Sequence, residues 1–357
     1  MADIRFGIVG AGAIAPSHIT AIGRTEGVSL AAVCDVQAER AAALAGEHDV
    51  LAVSRVEDML DHVDAVSLCT PSGFHLEPGL EILRAGKHLL VEKPMEITAE
   101  RIDQLIDAAR AHNVKLAGVF QSRFRPVPRQ LKQLIDDGLL GRIYSGSAYI
   151  KRFRTQAYYD SGDWRGTWKV DGGGCLMNQG IHIVDTLCWL CGDVAETLAI
   201  AETTGREVEV ETLALALLKF ESGARGVIEA TTLAYPELPQ YLEIFGERGT
   251  VTFNSGKVMR LELADPTPEE EAIREELLAP PPPPKEATKP KRTQVALKTN
   301  VCVADMGHTP ILADFVAAIR EDRPTLVDGH EARRSVELIN AIYESSRNGS
   351  RPVRLTR

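Results

Sequence analysis

The segment DGGGCLMNQGIHIVDTLCWLCG, residues 171–192, carries Asn178, His182 and Asp185 after a run of three glycines. Side chains three and four residues apart share one helix face. The pattern therefore predicts a single helix with an amide, an imidazole and a carboxylate along one ridge. An imidazole so placed can give or take a proton; Asp185 would either orient it or point away toward solvent or another domain. The glycines predict a backbone turn close over a bound molecule.

A second group lies at the start of the chain, where the strand-like run IRFGIV, residues 4–9, leads into GAGAIA and then the helix-like PSHITAIGR. This is G-x-G-x-x-A between a strand and a helix. Gly10 permits a tight turn, Gly12 lets the backbone approach a pyrophosphate, and Ala15 lets the helix pack on the sheet. Backbone amides of the first turn, around Ala13 and Ile14, would then face the phosphates. The run VSLAAVCD ends a second strand at Asp35, where a carboxylate accepts hydrogen bonds from the adenosine ribose hydroxyls. A 2′-phosphate there would meet a like charge, costing about 1 kcal/mol in water and ~4 kcal/mol at an effective dielectric near 20. Val36, Gln37 and Ala38 supply no arginine to reverse that preference, so the expected cofactor is NAD. The plain alternatives are a ligand-free glycine turn and a turn aspartate.

Elements that could position these groups follow in alternation: DAVSLCT, a helix over 75–85, HLLVEKP, the helix AERIDQLIDAARAHN, and KLAGVFQ. Such alternation predicts a parallel sheet with helices on both faces and ligands at the carboxyl ends of its strands. TPSGFH, residues 70–75, and EKP, residues 92–94, fall at such ends. Thr70, Pro71, His75, Glu92, Lys93 and Gln121 join the candidate cofactor site, while Gln121 and Arg123 in FQSRF could reach substrate or only begin the crossing between domains. His75 could equally be a residue that only opens its helix.

From about residue 123 the pattern becomes seven strand-like runs joined by glycine turns such as ESGA and GERG, the mark of an antiparallel sheet. The expected architecture is an α/β Rossmann domain over 1–122 and an α+β domain over 123–357 with a large, mostly antiparallel open sheet. TPILADFVAAIRE and EARRSVELINAIYESSRNG read as closing helices. Residues 267–293, an acidic block, a proline run that favours extended PPII and a basic block, read as a surface loop, or as one reaching over the site or onto a neighbouring subunit.

Bulk properties bound the function. The 357 residues carry a formal charge of -10, which argues against a nucleic-acid partner. No apolar run approaches the roughly 18 residues of a membrane span. The first residues pass directly into a strand without the form of a signal peptide, so the expected location is cytoplasmic. Six cysteines, mostly within apolar runs, suit buried thiols of a reducing compartment. CWLC, residues 188–191, lacks the second pair of a zinc site, and no metal is expected.

Together GAGAIA, Asp35, TPSGFH, EKP and the GGG…MNQGIH..D segment resemble the glucose–fructose oxidoreductase, inositol dehydrogenase and rhizopine-catabolism (Gfo/Idh/MocA) superfamily over essentially the whole chain. The resemblance implies a nicotinamide-dependent oxidoreductase acting on a secondary hydroxyl of a sugar or polyol. Within that group, YYDSGDWRGTWKVDGGGCLMNQGIHIVD with TPSGFH most resembles the dehydrogenases that oxidise C3 of UDP-N-acetylglucosaminuronate. Oxidising such a hydroxyl requires a base and a positive group beside the developing alkoxide. By resemblance, Lys93 takes the place of the lysine that hydrogen-bonds the reacting oxygen, and His182 that of the catalytic histidine. Inositol dehydrogenase-like members carry an aspartate four residues before the histidine, where this chain has Asn178. The proton acceptor therefore stays open between His182 and Lys93, beside a purely structural histidine.

Trp164 and Arg165 extend the expected cofactor site. Arg123, Tyr159, Arg165, Asn178 and Gln179 join Lys93 and His182 as the expected substrate contacts. Tyr158, Tyr159 and Trp164 are candidates for stacking or for core packing. Similar proteins dimerise and tetramerise through the antiparallel sheet, which implies a homodimer or homotetramer with a sugar or nucleotide sugar as substrate. Two other functions fit the same motifs: a glycosidase that uses NAD for transient C3 oxidation, and a non-catalytic NAD(H)-binding sensor.

Overall fold

The computed structural model describes residues 3–254, 256–279 and 307–355. The first sheet contains β1 (Ile4–Val9), β2 (Val28–Cys34), β3 (Leu51–Val53), β4 (Ala65–Leu68), β5 (His88–Val91) and β6 (Leu116–Gly118). They lie in the order β3-β2-β1-β4-β5-β6, every pair parallel. Helices α1 (Ala15–Arg24), α2 (Ala38–Gly46), α3 (Leu76–Arg84) and α4 (Ala99–Ala111) make the crossovers. All four residues of β4 are buried, as expected of a central strand covered on both faces. The order reverses between β1 and β4, which opens a crevice at their carboxyl ends.

The chain then passes through α5 (Pro126–Asp136) into a second sheet. Its strands are β7 (Ile143–Lys151), β8 (Val194–Glu202), β9 (Leu213–Phe220), β10 (Arg225–Thr231), β11 (Tyr241–Gly246), β12 (Gly249–Asn254), β13 (Lys257–Leu263) and the short β14 (Val353–Arg354). The order is β13-β12-β11-β7-β10-β9-β8-β14; β7 and β10 pair in parallel and the remaining pairs are antiparallel. All seven expected strands are present. Between β7 and β8 lie α6 (Gln156–Tyr159) and α7 (Ile181–Cys191), and α7 packs on β7.

Along β9 the residues alternate: Ala214, Ala216 and Leu218 face the helices, whereas Leu215 and Leu217 are 45% and 58% exposed on the other side. Ile200, Tyr144 and Phe245 are also exposed. One face of this sheet is thus a core and the other presents apolar side chains outward.

The carboxyl-terminal helices, α9 (His308–Glu321) and α10 (Gly329–Arg347), return to the first sheet. Phe315 on α9 meets Phe6 of β1 edge-on at 6.2 Å, and Ile311 and Leu312 join the same core as Ile19 and Ile22 of α1. Helix α10 packs on both α4 and β8, bridging the two sheets.

Two expectations are corrected. Residues 268–278 form a helix, α8, rather than a loop; Thr267 accepts from the Glu270 amide while Glu270 reaches back to the Thr267 amide, a capping box. The proline run and basic block, residues 280–293, lie outside the described residues. The segment 171–192 is not one helix: residues 174–180 form turns and α7 begins only at Ile181.

Candidate active site

Gly10 ends β1 with φ +96°, and a β-carbon there would meet the backbone of Cys69 at 2.8 Å. That turn requires glycine. At Gly12, by contrast, a β-carbon would meet nothing within 4 Å. The space beside Gly12, at the uncapped start of α1, is where a pyrophosphate fits. Asp35 closes the turn from β2, its carboxylate accepting from the Ala11 and Gln37 amides at 2.8 Å each. The residues present therefore fit NAD. Gly12→Val should leave the apo melting temperature nearly unchanged while raising the NADH dissociation constant by roughly 100-fold, about 3 kcal/mol. A fluorescence titration checks this, and unchanged affinity would place the phosphates elsewhere.

Across the crevice, β5 delivers Glu92 and Lys93 from its carboxyl end, before a cis Lys93–Pro94 peptide. His75 is fully buried and does not open toward the cofactor space. Its Nε2 faces the Thr70 carbonyl at 2.8 Å, and its Nδ1 faces the Pro94 and Met95 carbonyls at 3.0 and 3.1 Å. The ring staples the TPSGFH loop to the EKP loop. Thr70 itself donates to the Phe74 carbonyl, and Pro71 precedes that short turn.

Lys93 joins the two halves of the site. Its Nζ donates to the Asn178 carbonyl at 3.1 Å, so the strand end of the first domain touches the MNQGIH segment of the second. The Asn178 side chain donates to Asp171, whose other oxygen accepts from the Gly166 amide at 2.9 Å. Gln179 Nε2 donates to the Asn178 amide oxygen at 2.7 Å and to the Tyr158 hydroxyl at 3.0 Å. Arg165 donates to the same hydroxyl at 2.8 Å and lies over the rings of Trp164 and Tyr158, at 4.4 and 4.6 Å. Lys93, Asn178, Gln179, Arg165 and Trp164 are thus brought together.

The electrostatics of this group follow from crowding. Burial holds the Lys93 ammonium below its ordinary range, opposed by the charges of Glu92 and Asp171. Burial also pushes the Asp171 carboxyl up, against hydrogen bonds from Gly166 and Asn178 and the charges of Lys93 and Arg165. His182 is pushed down to about 3, by burial first and then by the positive charge of Lys93, with Arg125 and Arg152 acting in the same sense. Its ring packs edge-on against Phe120 at 5.7 Å, and its Nδ1 is buried with no hydrogen-bond partner among the described residues.

Two expected contacts go elsewhere. Arg123 is 1% exposed and its fork grips Asp185 at 2.6 and 2.9 Å, with Glu331 on its remaining nitrogen at 2.5 Å. Its charge is consumed in tying the two domains to α10, and Asp185 faces Arg123 rather than His182. Tyr159 is buried with its hydroxyl donating to Thr232 at 3.1 Å; Tyr158 faces the site instead. Gln121 lies beside His308, with Nε2 atoms 3.5 Å apart.

The glycine run also has another role. Added β-carbons at Gly172, Gly173 and Gly174 would strike Ile97, the Tyr343 hydroxyl and the Glu211 carbonyl at 2.4, 2.1 and 2.0 Å. Close packing demands glycine at all three positions, and the positive φ of Gly172 and Gly173, +75° and +154°, demands it again at those two. Sequence reasoning missed Asp171, Arg152 and the pair His18 and His308, and named Tyr158 only as a candidate for stacking or core packing. For Asp171 the signal was its place beside the glycines; His308 had none, being brought in only when α9 folds back.

Residues 4–120 match the oxidoreductase family with an NAD-binding Rossmann fold, and residues 129–252 match the GFO/IDH/MocA C-terminal domain. Over its full length the chain superposes on the WlbA dehydrogenase of Bordetella pertussis, solved with NADH and UDP-GlcNAcA, with a TM-score of 0.86 and 32% identity over 99% of that chain. It is 30% identical to 1,5-anhydro-D-fructose reductase of Ensifer adhaerens, over 69% of this chain and 74% of the reductase. It is 27% identical to inositol 2-dehydrogenase of Rhizobium meliloti, over 73% and 78% of the two chains. Among the described residues no helix is long and apolar enough to cross a membrane. An NAD-binding Rossmann domain, a mostly antiparallel second domain and these likenesses carry one conclusion: the chain belongs to the GFO/IDH/MocA oxidoreductase family.

Proposed function

We propose that this chain is an NAD-dependent dehydrogenase that oxidises C3 of an anionic nucleotide sugar, with Lys93 as proton acceptor and His182 as its neutral hydrogen-bonding partner. The observation that carries the reading is the Lys93–Asn178 contact, which seats the one amine of the EKP strand end against the histidine-bearing segment. When bound, NAD supplies a hydride acceptor at nicotinamide C4.

This chain must hold the sugar and take the hydroxyl proton. Burial lowers the Lys93 ammonium, so a neutral amine becomes accessible nearer to working pH. His182, down at about 3, is too weak a base for that task. A proton on its Nδ1 would be a buried N–H with nothing to donate to, at a cost of about 1–3 kcal/mol. The neutral ring therefore carries its hydrogen on Nε2 and acts as a donor. With the substrate proton on Lys93, the electron pair left on oxygen can close the carbonyl double bond as the C–H pair departs as hydride.

The cations Lys93, Arg125 and Arg152 act together on His182, and Arg165 acts with Lys93 on Asp171. Arg152 also pairs with Glu237 at 2.7 Å, so a carboxylate or diphosphate would meet chiefly Lys93 and Arg165, and the WlbA neighbour was solved with UDP-GlcNAcA. The Arg165 fork between Trp164 and Tyr158 is preorganised for a planar oxyanion. Spectrophotometry with a sugar panel tests the reading: UDP-N-acetylglucosaminuronate should generate NADH with the highest kcat/KM. Turnover of neutral pyranosides alone would remove the nucleotide-sugar assignment, and release of free sugar without NADH would replace dehydrogenation by elimination.

The outward apolar face of the second sheet supports self-association, as a homodimer or homotetramer of a cytoplasmic enzyme. Leu215 and Leu217, side by side with Ile200, are the centre of that face. A Leu217→Glu variant should sediment as a smaller species than the wild type, because a buried unpaired charge costs several kcal/mol at an apolar interface. Identical sedimentation would move the interface elsewhere.

A further inference from the structure

Outside the groups already assigned, one buried cluster of titratable residues stands out. Glu92, next to Lys93, is 7% exposed, and its Oε1 faces two imidazoles: His18 Nε2 at 3.0 Å and His308 Nε2 at 2.8 Å. A carboxylate only accepts, so both rings carry their hydrogen on Nε2. His18 and His308 are 1% and 2% exposed, with ring centroids 4.5 Å apart. The other carboxylate oxygen accepts from the Lys93 backbone amide at 3.0 Å. One ring stands on α1 and the other is the first residue of α9, so opposite ends of the chain converge on the residue before the amine.

We propose that His18 and His308 are positioning residues of the hydride-transfer site, clamping the Glu92 carboxylate so that it fixes the Lys93 peptide and sets the charge beside the Lys93 amine. This rests on the reading of Lys93 as the reacting amine. A carboxylate buried with no donor would protonate to escape the low dielectric. Two N–H donors on one oxygen keep Glu92 ionised, well below the usual carboxylate range despite its burial. Glu92 in turn holds up the proton affinity of Lys93 against desolvation. The charged and titratable groups acting on Lys93 are Glu92, Asp171, Arg152 and His182; those on Glu92 are His18, His308, Lys93 and the Cys69 thiol. The three clamp atoms lie close enough to ligate a cation, but the hydrogen bonds use those same atoms and satisfy the carboxylate without one.

The test measures the pH midpoint at which Lys93 of the full-length protein is acylated by an amine-specific reagent, read by peptide mass spectrometry, beside the pH profile of kcat. His18→Leu, His308→Leu and Glu92→Gln should each lower the labelling midpoint by on the order of half a pH unit or more. The acid limb of the kcat profile should move down by the same interval. His308→Gln, which keeps a donor at the Nε2 position, should restore the midpoint toward wild type. Should the leucine variants fail to fold, Glu92→Gln and His308→Gln decide between them. Unmoved midpoints in Glu92→Gln, or a His308→Gln midpoint as low as that of Glu92→Gln, would overturn the clamp; so would stoichiometric zinc in the purified protein that the His308 variants lose. If no sugar turns over, the dehydrogenase reading falls while the labelling midpoints still decide the clamp.

Discussion

Lys93→Met should abolish sugar oxidation, lowering kcat by about 10³- to 10⁴-fold while the NADH dissociation constant stays within about twofold of wild type. Methionine keeps the length and apolar stem, so β5 and its EKP turn remain packed; the lost features are the proton acceptor and the donor to the Asn178 carbonyl. Lys93→Arg separates these two. A guanidinium keeps positive charge and can still donate, but it cannot release its proton in the working range. If Lys93 accepts the substrate proton, Arg should be nearly as inactive as Met. If the amine only stabilises developing charge, Arg should recover at least about tenfold over Met. The wild-type profile gives the same answer by sign. Activity in the oxidative direction should rise with pH through the Lys93 midpoint, which burial holds below its ordinary value, and then level off. A profile flat from pH 5 to 9 would instead fit an acceptor titrating near 3, as His182 does.

The Rossmann half was legible because its central strands, β1, β4 and β5, are almost wholly buried and read as apolar runs bounded by turns, whereas the short exposed edge strand β3 carries no such signal. Its loops carry short motifs that the parallel strand order brings together at adjacent strand ends, such as Gly10 against Cys69 and Asp35 against Ala11. The second sheet was legible too, since strands like β9 alternate buried and exposed residues. What failed was the helix ridge, and the cause lies far away in the chain. The buried carboxylate of Glu211 accepts from the Gly174 and Leu176 amides at 2.8 and 2.9 Å and from the Tyr343 hydroxyl at 2.8 Å. Those captured amides, with Gly174 pressed against the Glu211 carbonyl, hold residues 174–180 in turns where the local pattern reads as helix. Asn178 therefore meets Lys93 through its backbone and Asp171 through its side chain, rather than lining up with His182. The position of the missing dyad aspartate is empty of charge in sequence, yet Asp171 brings a carboxylate into the same network. Arg123 fails as a substrate contact for a related reason: Glu331, on a helix formed near the end of the chain, completes its ion pair.

His182 offers the second large effect, and its variants test the tautomer argued above. His182→Leu should lower kcat by about 10²- to 10³-fold, since an apolar side chain removes the imidazole donor from the reacting oxygen. His182→Gln should retain activity within about tenfold of wild type, because the glutamine amide places an N–H where the imidazole Nε2–H stood. A general base at this position would give the opposite pattern, with Gln as inactive as Leu, for an amide accepts no proton at working pH. Stability adds an independent check on the neutral ring. A histidine pushed from its ordinary range to about 3 in the folded state binds its proton more readily when unfolded. Its contribution to stability is thus fully present above about pH 6.5 and is lost as pH falls toward 3. The Leu and Gln variants, which carry no proton in either state, should lose less melting temperature than wild type between pH 7 and 4.5. An equal loss in all three would mean that His182 takes up its proton as readily in the folded protein as in the unfolded chain, leaving it a competent base at neutral pH in place of Lys93.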